Sequence, residues 1–402
     1  MSNPLISVAQ AQGLVLSAVT PLAPEDVPIA AALDRILDAD VSAAGDVPPF
    51  ACSAMDGYAI MAGPAGRELT VVGESRAGAP TPQQLNAGQA IRISTGAALP
   101  AGATAVIPQE TVTVGQDGRI ETGVDSAAGE HIRLPGEDLV AGLTVLRAGI
   151  RLGPVELGAA VAGGAASVSV ARAPRISVLA TGDELRAPGE PLGPGEIHNS
   201  NAPMLDALAR HAGARTATPE HLADTREATR TGIAAALERS EVVIISGGVS
   251  VGPHDHVKPA LAELGVNEIF WSVALQPGKP TWFGTLGGDR LVFGLPGNPV
   301  SAVVTFSLFV LPALYALQGR TDPRRLEPEA VLGVPVKRNP RREQAVRVIL
   351  NRDDGQTTAV PNGAQGSHLL SSLLGAHALA MIPAGEGLLP AGSVVALEEL
   401  AA

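Results

Sequence analysis

The feature that most constrains the fold is the β-branched run VVII at residues 242–245, which ends abruptly in a glycine-rich loop. A short apolar run of this kind is typical of a strand buried on both faces, as in a parallel sheet covered by helices. The loop SGGVSVG at residues 246–252 allows the backbone to approach a ligand closely and to turn its amides inward. The pattern predicts an anion-binding loop at the end of a strand, with a tight strand-to-helix turn as the alternative.

Strands and helices alternate through residues 175–320, which is typical of a doubly wound α/β sheet. The predicted strands RISVLATG, EVVIIS and RLVFGL are separated by helices over about residues 201–212 and 224–238, with a further helix after His256. The apolar stretch at residues 300–317 has the length of a membrane span. The prolines before and within it favour a helix buried against the sheet, so we expect no membrane insertion.

The remaining segments predict three further domains. Short alternating runs separated by Gly and Pro indicate strands on both sides of the α/β part of the chain. Apolar residues at helical spacing predict helices over residues 6–19 and 29–39. The expected fold class is α/β multidomain, with a discontinuous helical domain, an inserted β domain, the α/β domain and a C-terminal β-barrel-like domain at residues 1–44 with 139–173, 45–138, 174–322 and 323–402.

Composition excludes several classes of protein. Lys and Arg number 28 against 40 Asp and Glu, a net charge of −12, which argues against a nucleic-acid partner. The single cysteine, Cys52, excludes an intrachain disulfide and fits a reducing compartment. The N-terminal stretch lacks a basic leader followed by an apolar core, so no secretory signal is expected. Together these observations predict a cytoplasmic protein.

Three predicted strands of the α/β domain end in unusual loops, LATGDEL at residues 179–185, SGGVSVG, and GLPGNPVS at residues 294–301. Loops at the carboxyl ends of parallel strands gather at one edge of the sheet, where ligands bind. Their backbone amides and neutral side chains suit a phosphorylated ligand. The residues predicted to form this binding site are Thr181, Gly182, Ser246, Gly247, Gly248, Ser250, Gly252, Pro296, Gly297, Asn298, Pro299 and Ser301.

The same loops carry the carboxylates Asp183, Glu184 and Asp255, which would repel a phosphate unless a cation lay between them. Mg²⁺ bridges carboxylate and phosphate oxygens, so a magnesium site is predicted, with surface carboxylates at helix starts as the alternative. Lys279, in the rigid loop QPGKP at residues 276–280, is predicted to direct its ammonium to phosphate. A solvated turn lysine is the alternative.

Other candidates carry weaker signals. His254 and His256 stand two residues apart, which does not match the spacing of helical zinc motifs. Arg347 and Ser367 belong to the last domain and are candidates to contact an anion across a cleft, with a solvated strand arginine as the alternative. Lys258 is expected to be a solvated helix residue.

Eight phrases, in order along nearly the whole chain, resemble those of the molybdopterin molybdenumtransferase family, the bacterial molybdenum insertases to which the gephyrin E domain also belongs. They are SAMDGYA (53–59), IRISTGA (91–97), RLPGEDL (133–139), ATGDEL (180–185), SGGVSVG, PGKP (277–280), GLPGNPVS and QGSH (365–368). The resemblance implies an elongated homodimer and a reaction in which adenylylated molybdopterin and molybdate give molybdenum cofactor and AMP, assisted by Mg²⁺ or a similar divalent cation. It also implies contacts with the molybdopterin adenylyltransferase and with molybdoenzyme-maturation proteins.

The resemblance further implies roles for individual residues. The implied catalytic residues are Asp56, Thr95, Asp138, Glu184, Asp255 and Lys279. The first three come from the β domain, which in this family faces the α/β domain of the other subunit. Glu184 and Asp255 would hold the divalent cation, while Arg347 and Ser367 match positions that receive molybdate.

The chain departs from the family pattern at Ala51, Cys52 and Gln276, where family members often carry charged residues. A molybdopterin-binding or scaffold protein without catalysis is therefore the alternative function. A sugar-nucleotide or phosphotransfer enzyme explains none of the ordered phrases and lacks a Walker lysine motif.

Overall fold

The computed structural model describes residues 5–249, 255–321, 329–353 and 355–400. It contains a mixed α/β sheet, a separate β sheet formed earlier in the chain and a closed C-terminal barrel. This architecture confirms the predicted fold class, while the exact domain boundaries stay predictions.

The α/β sheet places the predicted strand Val242–Ser246 at its centre, with all five residues buried. Its neighbours Arg175–Thr181 and Arg290–Leu295 both run parallel to it. Two antiparallel strands extend the far edge of the sheet. From one edge to the other the strands are Arg215–Thr216, Arg175–Thr181, Val242–Ser246, Arg290–Leu295, Trp282–Leu286 and Asn267–Trp271, and Glu220–Leu222 also pairs with the second of them.

Helices cover both faces of this sheet. Ile244 packs into one hydrophobic cluster with Leu205 and Phe309, whereas the next residue, Ile245, packs into another with Ile233. Because successive strand residues point to opposite faces, this alternation shows why the apolar run is continuous. The helices of this region are Asn201–His211, Arg226–Arg239, Val257–Glu263 and the contiguous helix Pro299–Leu317, which contains a π-helical turn at Phe306–Val310.

The helix Pro299–Leu317 is the one candidate membrane span among the described residues, by length and apolarity. In its most apolar window, 89% of the residues are buried inside the protein. It is therefore a core helix, as the sequence predicted.

The N-terminal helix Val8–Ser17 is confirmed, and a capping box between Ser7 and Gln10 fixes its start. Its buried residues Val8, Ala11 and Val15 belong to the hydrophobic cluster of the α/β sheet. The apolar spacing of the helix predicted its existence but did not reveal which surface it covers.

The helix predicted over residues 29–39 was wrong. A single 3₁₀ turn occupies Ile29–Ala31, and Asp34 has a φ of 64°, which interrupts a right-handed helix. Leu37 instead donates its backbone N–H to Ile150 O and packs with Leu152 and Val170. The apolar residues of this segment are thus buried because the segment pairs, like a strand, with a later part of the chain.

Short strands join the segment that precedes the inserted β sheet in the chain to the segment that follows it. The strand Pro24–Pro28 pairs with Ser167–Ala171, Val41–Ser42 pairs with Thr144–Leu146, and the helix Pro154–Ala162 begins with Pro at its first turn. The remaining two-residue pairs are Cys52–Ser53 with Ile132–Arg133, Leu185–Arg186 with Ile197–His198, and Val336–Lys337 with Leu388–Leu389.

The inserted sheet has six strands and two buried faces. Ile60 and Ile107 pack on one face, and Ile91 and Val106 pack on the other. In sheet order the strands are Ala105–Pro108, Gly57–Ile60, Gln89–Ile93, Glu68–Ser75, Arg119–Thr122 and Val112–Val114.

The C-terminal strands form a closed ring, in which each of five strands pairs with two neighbours. In ring order they are Glu343–Asp353, Gln356–Pro361, Glu329–Leu332, Val394–Glu399 and Ala378–Ile382. The short strand Leu275–Gln276 of the α/β region adds to Glu343 and Gln344 in parallel. This pairing attaches the barrel beside the carboxyl edge of the α/β sheet.

Candidate functional site

A cavity of about 890 Å³ opens at the carboxyl ends of the parallel strands. All three predicted strand-end loops reach it, which confirms that they gather at one edge. From these loops the cavity is lined by Thr181, Gly182, Glu184, Ser246, Gly247, Gly248, Val249, Pro296, Gly297, Asn298 and Pro299. Ser250 and Gly252, which were predicted with them, lie outside the described residues.

Strand register explains this convergence. Ala180 is paired with Ser246, and Ser246 with Leu295, so the three strands end level with one another. Gly247 donates its N–H to Leu295 O at 3.1 Å, which ties the first loop residue to the neighbouring strand.

Two glycines of the central loop are required by its close packing. Gly247 and Gly248 have φ values of 89° and 63°, in the left-handed region. A Cβ atom at Gly247 would lie 2.9 Å from Thr181 O, and one at Gly248 would lie 2.6 Å from Val257 Cγ2. Any side chain here would push the loop away from Thr181, so these positions keep the cavity floor compact.

Asn201 joins two of the loops and was missed by the sequence reasoning. Its Nδ2 donates to Ser246 Oγ at 2.9 Å and to Gly297 O at 2.7 Å. Ser246 is only 3% exposed, so this contact fixes a buried hydroxyl at the cavity wall. The phrase HNSN immediately before a predicted helix was the available signal, because Asn is favoured at helix starts.

Three carboxylates line the cavity: the predicted Glu184 and Asp255, and Asp224, which was not predicted. Asp224 and Asp183 exchange hydrogen bonds, since Asp183 N–H donates to Asp224 Oδ2 at 3.2 Å and Asp224 N–H to Asp183 Oδ1 at 3.1 Å. Among the described residues no group of three or more His, Cys, Asp or Glu could hold a metal ion alone. A cation here would need ligand oxygens from a bound phosphate or from water.

The described lining of the cavity contains no Lys or Arg. Lys279 is exposed and does not line it, although the next residue, Pro280, does. The Lys279 carbonyl accepts from the N–H groups of Val273 and Thr281, so the backbone of its loop is held by two hydrogen bonds. Besides its carboxylates and histidines, the described polar lining consists of neutral side chains such as those of Thr181, Ser246 and Asn298.

Ser367 lies in the loop that links the barrel to the α/β site. Its Oγ accepts a hydrogen bond from Asn298 Nδ2 at 3.1 Å, and its carbonyl accepts one from Val300 N–H. The following residues His368 and Leu370 line the cavity. Ser301, in contrast, is 4% exposed and lies inside the first turns of its helix, away from the lining.

Arg347 does not reach the cavity surface. It is 1% exposed, and its guanidinium donates to Ser372 Oγ at 3.0 Å and to Gly366 O at 3.3 Å. Burial lowers the pKa of Arg347 to about 10. The guanidinium thus holds the loop that carries Ser367.

The three candidates of the inserted sheet lie away from the cavity. Thr95 donates its backbone N–H to Asp56 Oδ1 at 2.8 Å, so these two residues are neighbours. Asp138 is exposed, and its N–H donates to Val47 O. Within one chain they do not join Glu184 and Asp255.

The expectation for Lys258 was wrong. Its ammonium lies 3.1 Å from the centroid of the Trp271 ring, and the residue is half-buried. Burial lowers the pKa of Lys258, while the carboxylates of Asp255 and Glu268 oppose this change. Its position in the sequence gave no indication of an aromatic partner from a strand thirteen residues later.

Gln276, a departure from the family pattern, has a structural partner. Its Oε1 accepts a hydrogen bond from Asn339 Nδ2 at 2.5 Å, next to the strand pairing that attaches the barrel. At this position the chain has a neutral contact between its α/β and barrel regions.

Three family models match consecutive parts of the chain. They describe the MoeA N-terminal region (domains I and II) at residues 6–164, a probable molybdopterin binding domain at residues 177–316, and the MoeA C-terminal region (domain IV) at residues 329–400. Together they cover the inserted sheet, the α/β site and the barrel.

Whole-chain relatives agree with these matches. Molybdopterin molybdenumtransferase 2 of Mycobacterium tuberculosis is 37% identical over 395 residues, covering 94% of this chain and 95% of that protein. Molybdopterin molybdenumtransferase of Haemophilus influenzae is 35% identical over 400 residues, covering 98% of each. The crystal structure of the molybdopterin biosynthesis moeA protein from Pyrococcus horikoshii OT3 superimposes with a TM-score of 0.80 at 29% identity, covering 98% of this chain and 100% of that one. The chain therefore belongs to the molybdopterin molybdenumtransferase family.

Proposed function

We propose that this chain inserts molybdenum from molybdate into adenylylated molybdopterin and releases AMP. The observation that carries the proposal is the cavity at the carboxyl edge of the α/β sheet, where three strand-end loops converge and neutral polar side chains lie beside Glu184 and Asp255. Such a wall suits the phosphates of the substrate. In the proposed step a molybdate oxygen attacks the molybdopterin phosphorus of the pyrophosphate, the bond from that phosphorus to the bridging oxygen breaks, and AMP leaves with that oxygen. The site holds both reactants in place and forms no covalent enzyme intermediate.

A divalent cation such as Mg²⁺ belongs to this proposal. The described lining of the cavity contains carboxylates but no Lys or Arg. An anionic substrate therefore needs a cation to offset its charge there. Mg²⁺ is commonly held by one or two carboxylates together with substrate phosphates. This mode of binding does not require a cluster of three protein ligands, and the described residues contain none. Glu184 and Asp255 would hold it, and it would neutralise charge on the phosphates. Loss of AMP release in EDTA, restored by added Mg²⁺, is the expected result, and activity unaffected by EDTA would contradict it.

The remaining candidate residues enter the proposal through a homodimer. Asp56, Thr95 and Asp138 are exposed and lie outside the cavity of their own chain. Large apolar side chains near them, Phe50 and Leu134, are 47% and 61% exposed, which supports burial against a second copy. Light scattering should give a mass about twice 40.7 kDa, whereas a monomer would refute this part. The single cysteine and acidic composition support a cytoplasmic location, which cell fractionation would test.

The central test uses purified protein with adenylylated molybdopterin, Mg²⁺ and molybdate. AMP release is expected, and Asp255→Asn should slow it at least about tenfold because one cavity carboxylate loses its charge. Asp38→Asn, at an exposed aspartate that is not part of the cavity lining, is the matched control and should leave the rate unchanged. Binding of the substrate without molybdate-dependent AMP release would refute the proposed reaction.

A further inference from the structure

Lys258 and Trp271 form a contact that the proposed reaction does not use. The Lys258 ammonium lies 3.1 Å from the ring centroid, and both residues are half-buried. An ammonium over an indole face is attracted by the electrons of the ring, more strongly when water is partly excluded. The pair therefore joins the helix Val257–Glu263 to the edge strand Asn267–Trp271.

The Trp271 ring is also attached to the glycine-rich loop. Its Nε1–H donates to Val249 O at 3.2 Å. Val249 is 3% exposed and packs so closely on Gly294 that a Cβ there would lie 2.5 Å from Val249 Cγ1. Trp271 thus fixes Val249 against the strand Arg290–Leu295.

Lys258 fixes the other side of the same region. It stands in the first turn of its helix, three residues after Asp255. The Asp255 carboxylate accepts from Val257 N–H at 3.3 Å, so its position depends on where that helix begins. A helix start held against Trp271 is therefore held in a fixed relation to Val249.

We propose that Lys258 and Trp271 are positioning residues that keep Asp255 and Val249 in the arrangement that binds the substrate. The inference rests on the proposed function, since it assigns the substrate to the cavity that Asp255 and Val249 line. Neither Lys258 nor Trp271 lines that cavity, so they act through Asp255 and Val249.

The experiment measures the Kd of adenylylated molybdopterin by titration calorimetry and, separately, kcat and KM for AMP release. Lys258→Met keeps an unbranched side chain and removes the charge. Loss of one such contact should shift the population of the binding arrangement and raise Kd and KM about fivefold, with kcat within about twofold of the wild type. Lys258→Arg keeps a cation over the ring and should restore the wild-type Kd.

Two further variants separate positioning from general damage. Trp271→Phe keeps an aromatic face but removes the hydrogen bond to Val249, so Kd should again rise about threefold or more. Lys337→Met, at an exposed lysine of the barrel region, is the matched control and should change nothing. Thermal unfolding of each variant checks that the fold is retained.

A wild-type Kd in Lys258→Met, or a failure of Lys258→Arg to restore affinity, would overturn the inference. If wild-type protein binds the substrate but releases no AMP, the proposed function fails, while the Kd comparison still decides this inference. If wild-type protein does not bind the substrate, both are overturned.

Discussion

Removing the Asn201 side chain should weaken both the fold and the site. Asn201→Ala deletes the hydrogen bonds to Ser246 Oγ at 2.9 Å and Gly297 O at 2.7 Å. Neutral hydrogen bonds contribute about 1 kcal/mol each, and the Ser246 hydroxyl is too buried for water to replace the lost partner fully. The expected loss in the free energy of unfolding is about 2 kcal/mol. Because the two loops would lose the side chain that connects them across the cavity wall, kcat/KM for AMP release should fall about tenfold.

The assay pairs urea unfolding, followed by circular dichroism, with the AMP-release rate of the same preparation. Asn351→Ala, at an exposed position of the barrel, is the matched control and should change the unfolding free energy by less than about 0.5 kcal/mol. If Asn201→Ala is no more destabilising than this control, the two hydrogen bonds do not join the loops as argued. An unchanged kcat/KM with the expected loss of stability would refute the link from loop position to activity.

Two more predictions concern buried charges. Burial raises the pKa of Glu241, but hydrogen bonds from Arg175 and Arg172 outweigh this and lower it from 4.5 to about 2. The folded pKa lies below the unfolded one, so this carboxylate contributes about 3 kcal/mol above pH 4.5, which is lost as the pH falls towards 2. The difference in unfolding free energy between wild type and Glu241→Gln should shrink over that range, and a difference independent of pH would contradict the assignment. Arg347→Met should lower the free energy of unfolding by about 3 kcal/mol and raise the KM for molybdate several-fold, since the loop of Ser367 loses its support. Steady-state kinetics with varied molybdate checks this, and an unchanged KM would exclude the supporting role.

The strand-end loops are predictable because their signal is local. A buried β-branched run followed by Gly-Gly indicates the end of a strand, and where strands alternate with helices their carboxyl ends come to one edge of a parallel sheet. The same reasoning from the sequence predicts that Glu184 and Asp255 lie at the edge where Ser246 ends its strand. The helix Val8–Ser17 is predictable for a similar reason, since its apolar spacing and capping residues lie within about ten positions.

The rest of the site depends on contacts between distant parts of the chain. Asn201 resembles an ordinary helix-start residue in the sequence, and only its position opposite Ser246 and Gly297 makes it part of the site. Arg347 resembles a solvated strand arginine, yet the oxygens around it come from a loop about twenty residues later. The position of Lys258 is not predictable for the same reason, because its partner is an aromatic ring on another element.

The contact between the first helix and the last helix of the α/β region has a consequence for folding. Gln12 Nε2 donates to Leu308 O, and these residues are 296 positions apart in the chain. Leu22 N–H likewise donates to Leu317 O. During synthesis the segment of the first helix is therefore made long before that of its partner. The residues that cover the apolar surface of the partner helix are already present when the partner is synthesised. Since closing such long loops slows folding, this core should be the last part of the protein to become protected against hydrogen exchange.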